Sequence, residues 1–143
     1  MRDWAELIDP ERDAREKFFA WLLRKTPTRK QAREYLLCMK LPESLLDSAV
    51  DAGLVDDEAY ARLFAEGHTS WGNAKISREL SVRGVSQEDI RLAIDDIADE
   101  AERACELMDA WRNEDVEDRK IQARLLSRGF TNRAVSYALH REE

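Results

Sequence analysis

The sequence predicts an all-α fold, built as three tandem three-helix repeats in an elongated, slightly curved array. Hydrophobic residues make up 43% of the chain and charged residues 37%, with only five Gly and three Pro. This composition is too apolar for a disordered chain and is typical of helices rather than of a β-sandwich or barrel. No segment alternates polar and apolar residues for long enough to form a strand. The strongest indication is an internal repeat.

Three segments align without internal gaps, at residues 28–50, 72–94 and 117–139. In each segment two apolar positions four residues apart precede a helix-ending position, and a second apolar group follows a cap position. The shared positions hold Ala32, Ile76 and Ile121; Leu36, Leu80 and Leu125; Lys40, Gly84 and Gly129; Leu41, Val85 and Phe130; Pro42, Ser86 and Thr131; Leu46, Ile90 and Val135; Ala49, Ala93 and Ala138; and Val50, Ile94 and Leu139. This pattern predicts two helices joined by a tight turn in every segment.

The second segment illustrates the physical basis of the pattern. Ile76 and Leu80 lie on one face of a helix, so we expect them to be buried together. Gly84 stands where that helix ends, because glycine tolerates the left-handed conformation of a helix C-terminus. Ser86 is the expected N-cap of the next helix, as Thr131 is in the third segment.

The first segment departs from the other two. Lys40 stands in place of the glycine, which allows its helix to end in a different turn. Pro42 stands in place of the N-cap, and proline fits the first turn of a helix, so we still expect a helix to begin there.

Each segment follows an upstream stretch with apolar residues at helical spacing. These stretches predict helices over residues 11–24, 57–65 and 98–111. Asp56 is the expected N-cap of the second of them. Nine helices then divide into three domains, with predicted bounds 1–52, 53–97 and 98–143.

The charge is unevenly distributed along the chain. The formal net charge is -7, yet residues 87–118 alone hold 13 Asp and Glu against three Arg, which leaves the flanks mildly basic. The acidic segment is either a pair of solvated helix faces or a surface for a basic partner.

Enzymatic chemistry is not indicated. His68 and His140 have no nucleophile or paired carboxylate at a motif spacing, and no Gly-rich phosphate loop occurs. Cys38 and Cys105 lack metal-site spacing, and we expect both to be partly buried. We therefore expect no catalytic residue, no metal and no cofactor.

The cellular location follows from what the chain lacks. No stretch approaches the roughly 20 apolar residues that cross a bilayer, and residues 1–6 lack the start of a signal peptide. We expect a cytoplasmic protein without a membrane partner.

Three motifs in order resemble those of the RecX family. Residues 53–61 read GLVDDEAYA, residues 72–86 read GNAKISRELSVRGVS, and residues 120–130 read KIQARLLSRGF. The resemblance extends over roughly residues 19–140. The chain departs from the family at residues 66–71, which hold no Lys or Arg where a basic cluster is common, and at Lys75, where Arg is more frequent.

This resemblance implies a regulator of DNA repair, recombination and the SOS response. Such a protein binds the RecA filament on single-stranded DNA as a monomer and hinders filament growth, strand exchange and co-protease activity, with DNA itself as a weaker partner. Basic side chains on helix stripes suit an anionic partner, although they also serve solubility. The candidate partner-binding residues are Arg29, Lys30, Arg33, Lys75, Arg78, Arg83, Arg119, Lys120, Arg124 and Arg128.

Two other functions fit the same helices. A tandem helical module that binds DNA directly predicts a steep loss of affinity with salt. A helical-repeat adaptor predicts a partner other than RecA. Trp71, beside glycines and polar residues, either stacks on a base or partner or covers the junction between repeats.

Overall fold

The structure is a computed structural model of the chain, and it describes residues 9–141. Residues 1–6, which we expect not to begin a signal peptide, lie outside the described part. Within residues 9–141 nine α-helices and no strand are found, which confirms the predicted all-α class. The helices are α1 (Pro10–Lys25), α2 (Arg29–Cys38), α3 (Ser44–Asp51), α4 (Asp57–Gly67), α5 (Asn73–Val82), α6 (Gln87–Asp95), α7 (Glu100–Asn113), α8 (Asp118–Ser127) and α9 (Asn132–His140).

The middle helices of the three repeats end in one common turn. In each, the apolar residue after the turn donates its backbone N–H to the carbonyl of the buried leucine five residues earlier. The distances are 2.8 Å for Leu41 to Leu36, 3.1 Å for Val85 to Leu80 and 3.1 Å for Phe130 to Leu125. The repeat inferred from the sequence is therefore also a repeat of backbone geometry.

Lys40 ends α2 in the same way as the glycines end α5 and α8. Its φ is 57°, against 91° at Gly84 and 87° at Gly129. The different turn allowed for Lys40 is therefore not what the structure has. A side chain in this left-handed conformation costs about 1–2 kcal/mol, which the packing of the surrounding repeat must offset.

The predicted N-caps are confirmed. Ser86 Oγ accepts a hydrogen bond from the backbone N–H of Asp89, and Thr131 Oγ1 accepts one from Ala134, both at 3.2 Å. Asp56 Oδ1 accepts one from the N–H of Ala59 at 3.1 Å. Helix α3 instead begins at Ser44 without a side-chain cap, two residues after Pro42.

The described residues fall into two compact units, one ending at Tyr60 and one starting at Ala61. The division lies inside α4, and the domain bounds after residues 52 and 97 stay predictions about the repeat. The core of the first unit consists of Phe18, Leu22, Ala32, Leu36, Leu46, Ala49 and Val55. A core of the second unit consists of Ala104, Cys105, Met108, Trp111, Ile121, Leu125, Phe130, Val135 and Ala138.

The two cysteines differ in exposure. Cys105 is buried, as expected, whereas Cys38 is exposed. The expectation for Cys38 was wrong, because it lies at the end of α2 on the side away from the buried Ala32 and Leu36. None of the described helices is both long and apolar enough to cross a membrane.

Candidate partner-binding surface

In the second unit, the start of α5 packs closely against the turn between α8 and α9. The N–H of Gly72 donates to the carbonyl of Arg128 at 2.8 Å. A Cβ on Gly72 would overlap the backbone of Gly129, and a Cβ on Gly129 would lie 2.5 Å from the Cβ of Lys75. Two glycines thus allow contact between backbones, which places Lys75 of one repeat beside Arg128 of the next.

A buried carboxylate links the same two helix starts. Glu100, the first residue of α7, is only 8% exposed. Its Oε2 accepts from the N–H of Asn73 at 2.7 Å, and its Oε1 accepts from the N–H and hydroxyl of Thr131 at 3.1 and 2.6 Å. One negative charge therefore lies at the N-termini of both α5 and α9, where the helix dipoles favour it.

Arg103, one turn further along α7, is 3% exposed and binds the loop before α5. Its Nη1 donates to the carbonyls of Thr69 and Trp71, and its Nη2 donates to Asn73 Oδ1. Its Nε donates to the carbonyl of Ala98 at 2.8 Å. The guanidinium thus connects Ala98, just before α7, to the loop at residues 69–71 and to the first residue of α5.

Both buried charges are satisfied. Burial lowers the pKa of Arg103, while the carboxylates of Glu100 and Asp99 oppose that change. In the described part of the chain no buried side-chain nitrogen or oxygen lacks a hydrogen-bond partner. In the sequence Glu100 and Arg103 stand out only as charges of the acidic segment. The signal that marks Arg103 is its place on the apolar stripe of α7, four residues before Leu107 and next to Ala104.

We call the contact of α5 with the α8–α9 turn, together with Glu100 and Arg103, the joint. Three of the candidate basic residues lie over tryptophan rings beside it. The Nζ of Lys75 is 4.2 Å from the centre of the Trp71 ring. The guanidinium carbons of Arg124 and Arg128 are 5.4 and 5.1 Å from that of Trp111. Such contacts attract a cation to the face of a ring without neutralising it. Among the described residues none of these three cations forms an ion pair.

We call Lys75, Arg78, Arg124 and Arg128 the joint surface. Arg78 is exposed and follows Lys75 by three residues on α5, so the two share one helix face. Arg128, the C-cap of α8, is likewise one turn after Arg124. The structure thus brings Lys75 beside Arg128, which lies 53 positions later in the chain.

The other candidates of the second unit are placed differently. Arg119 and Lys120 are exposed on the first turn of α8. Arg83 is held within the fold, because its Nη1 lies 2.8 Å from Glu79 Oε2 and its guanidinium lies over the ring of Phe64. The hydrogen bond from Arg83 lowers the pKa of Glu79.

The candidates of the first unit form a separate group on the first turns of α2. Arg29, Lys30 and Arg33 are all exposed. The backbone N–H of Arg29 donates to Asp57 Oδ1 at 2.8 Å, and the Nε of Arg33 is 4.0 Å from Glu43 Oε1.

The acidic segment is less uniform than its composition indicates. Glu100 is buried in the joint, and both carboxylate oxygens of Asp118 accept from the Arg112 guanidinium, at 2.9 and 2.8 Å. Glu102 and Glu106 are exposed one turn apart on α7. The solvent-facing acidic surface is therefore smaller than the segment.

Comparisons with known proteins point to one family. Residues 56–94 match the family model described as "RecX, second three-helix domain". The regulatory protein RecX of Pseudomonas fluorescens is 32% identical over 107 residues, which cover 68% of each chain. That of Chromohalobacter salexigens is 36% identical over 103 residues, covering 67% of this chain and 68% of the other.

Other similarities differ in extent. The regulatory protein RecX of Lactobacillus delbrueckii is 29% identical and aligns with 88% of this chain, which spans only 53% of that relative's length. The crystal structure of RecX from Lactobacillus salivarius has a TM-score of 0.73 at 20% identity and covers 90% of this chain and 96% of its own. A second RecX crystal structure has a TM-score of 0.68 at 22% identity, covering 93% and 74%. These structures support the predicted helical repeat array.

Proposed function

This chain belongs to the RecX family, and from that membership we propose that it binds the RecA filament on single-stranded DNA and inhibits the filament's activities. The observation that carries this proposal is the family match, with relatives named regulatory protein RecX at 32% and 36% identity. Inhibition would follow from occupying the filament rather than from catalysis. The protein would act as a monomer in the cytoplasm, without a cofactor.

The joint surface is the proposed contact of the second unit. Three of its four cations, Lys75, Arg124 and Arg128, lie over tryptophan rings, and none of the three forms an ion pair among the described residues. Their charge is therefore available to an anionic partner. The Glu100 and Arg103 hydrogen bonds hold the starts of α5 and α9 against α7 before binding. Such preorganisation lowers the entropic cost of association.

Arg29, Lys30 and Arg33 supply a second contact of the same charge on the first unit. When two contacts belong to one chain, the second binding step becomes intramolecular and the overall affinity rises. Arg119 and Lys120 extend the basic stripe of α8 in the same role. Exposed carboxylates such as Glu102 and Glu106 complement basic surface on the filament.

The decisive experiment measures DNA-dependent ATP hydrolysis by the cognate RecA on single-stranded DNA, with this protein at substoichiometric ratios. We expect progressive loss of turnover, because a few bound molecules are enough to block filament growth. The single substitutions Arg124→Glu and Arg128→Glu should each weaken that loss. The matched control is Arg91→Glu, an equal charge change on the exposed face of α6. Unchanged turnover at excess protein would reject the proposal.

Direct binding of DNA without regulation is the second candidate. The observation that favours it is again the set of cations that form no ion pair. If it is correct, RecA turnover stays unchanged while the protein retains DNA at low salt and releases it steeply as salt rises.

A further inference from the structure

Beside the joint, three rings meet at the end of α4 and in the loop that follows. The ring centres of Phe64 and His68 are 4.2 Å apart, and those of His68 and Trp71 are also 4.2 Å apart. Phe64 contacts Trp71 edge-on at 5.9 Å. The Nδ1–H of His68 donates to the carbonyl of Phe64 at 2.7 Å, which fixes the orientation of the central ring.

A cation lies at each end of this aromatic cluster. The Arg83 guanidinium is 4.8 Å from the Phe64 ring, and the Lys75 ammonium is 4.2 Å from the Trp71 ring. All five side chains are half-buried. The cluster therefore packs against the protein on one side and is accessible to a ligand from solvent on the other. Arg83 also pairs with Glu79, whereas Lys75 is on a flexible four-carbon chain that can move off the ring.

The loop that carries Trp71 is held from the third repeat. Arg103 donates to the carbonyls of Thr69 and Trp71, and the N–H of Trp71 donates to the carbonyl of His68 at 3.0 Å. Because Arg103 is buried, these bonds are protected from water. A ligand that stacks on Trp71 therefore meets a surface that needs little further ordering.

We propose that this cluster binds an unpaired base of a single nucleic-acid strand. The base stacks on the face of Trp71 that the Lys75 ammonium now covers, and the ammonium moves to the phosphate beside that base. Rings next to cations are the combination that single strands require, since each nucleotide brings one flat face and one negative charge. A duplex buries the faces of its bases. A protein surface of Asp and Glu carboxylates presents no flat ring that could stack on Trp71. Binding needs no recombinase, so its failure would leave the proposed RecA regulation standing. It deepens the second candidate function, direct binding of DNA, and rests on it.

The test uses the whole chain and no RecA. Binding of a fluorescent oligothymidylate of about 12 nucleotides is measured by anisotropy at about 0.05 M salt. An abasic strand of equal length and charge is measured beside it. We expect the base-containing strand to bind about 5- to 150-fold more tightly, the value of one stacked base. Trp71→Ala should abolish this difference and leave the affinity for the abasic strand unchanged.

Two further variants separate stacking from folding. Trp71→Phe keeps a ring and should retain most of the preference for bases even if stability falls. Tyr137→Ala, which removes a 57% exposed aromatic ring from α9, should change nothing.

Three outcomes would overturn the proposal. They are equal affinity of the unaltered protein for both strands, no binding of either strand, and equally tight binding of a duplex. Binding of polyglutamate that depends on Trp71 would also overturn it and assign the surface to an acidic protein.

Discussion

Helices α4 and α7 each begin with a carboxylate that reaches back to the preceding repeat. Asp57 Oδ1 accepts from the N–H of Arg29 at 2.8 Å, and Glu100 Oε2 accepts from the N–H of Asn73 at 2.7 Å. In both cases the carboxylate belongs to the first residue of its helix, and the donor is the first residue of the middle helix of the repeat before. The same link therefore occurs twice, once in each compact unit.

The surroundings of the two links differ. Glu100 is buried and also accepts from Thr131, with Arg103 three residues later. Asp57 is half-buried, and the residue three positions later is Tyr60. The carboxylate of Glu100 is thus part of a buried charged joint, whereas that of Asp57 is partly open to solvent. We infer that the link at Glu100 is the more stabilising of the two, because its hydrogen bonds are shielded from water.

The largest effect is expected where the buried charge loses its partners. Arg103→Met removes four donated hydrogen bonds and leaves Glu100 buried without a nearby cation. We expect a loss of about 3–5 kcal/mol in the free energy of unfolding, measured by urea denaturation. Arg133→Met, on the exposed face of α9, should stay within about 0.5 kcal/mol of the unaltered protein. Equal effects of the two variants would show that the joint is not stabilising.

A second variant tests the close approach of backbones. Gly72→Ala places a methyl group against the backbone of Gly129. Overpacking of this kind costs about 1–3 kcal/mol, and we also expect weaker RecA inhibition because Lys75 and Arg128 move apart. Gly67→Ala is the matched control, since a Cβ there meets nothing within 4 Å. Thermal denaturation that is unchanged in both variants would contradict the geometry.

The two carboxylates can be compared directly. Glu100→Gln should cost about 1.5–3 kcal/mol, the value of hydrogen bonds to a charged group. Asp57→Asn should cost about 0.3–1 kcal/mol, as for a charge at an accessible helix N-terminus. Chemical denaturation of both variants at neutral pH measures the difference. A larger loss of stability at Asp57 than at Glu100 would contradict the prediction that the buried link is the more stabilising one.

The smallest effect is expected at Asp118, which takes part in neither the Glu100 link nor the Asp57 link. The hydrogen bond from Arg112 lowers the pKa of Asp118 below its usual value near 3.8. A carboxyl with a lowered pKa stabilises the fold above its unfolded pKa, and that contribution is lost as pH falls through the folded pKa. Asp118→Asn should therefore melt slightly earlier at pH 7, and the difference should vanish in strong acid. A difference that grows on acidification would have the wrong sign.

Much of the fold was predictable from local patterns. The buried positions of the repeat recur as predicted, and Ser86, Thr131 and Asp56 cap the helices assigned to them. Helix α7 begins at Glu100, two residues later than predicted, because Asp99 caps it by accepting from Ala101. Lys40 shows the limit of residue preference, since the repeat imposes a glycine-like conformation on a lysine.

The candidate surface was predictable only as a list of basic residues. Charge and spacing identified Lys75 and Arg128 separately, but their proximity depends on the contact between Gly72 and Gly129. No local pattern predicts that contact, because the partners belong to different repeats. The same holds for the stacking of Lys75 on Trp71 and of Arg128 on Trp111.

Helix number, helix ends and buried faces are thus set locally, because periodicity, caps and turns act within a few residues of the chain. Tertiary structure alone decided which charges are paired inside the fold and which lie at its surface. Glu100 and Arg103 look like ordinary members of an acidic helix, and they become structural because packing removes water from both and gives each several partners. Lys75, Arg124 and Arg128 instead lie over tryptophan rings, and among the described residues none of the three forms an ion pair.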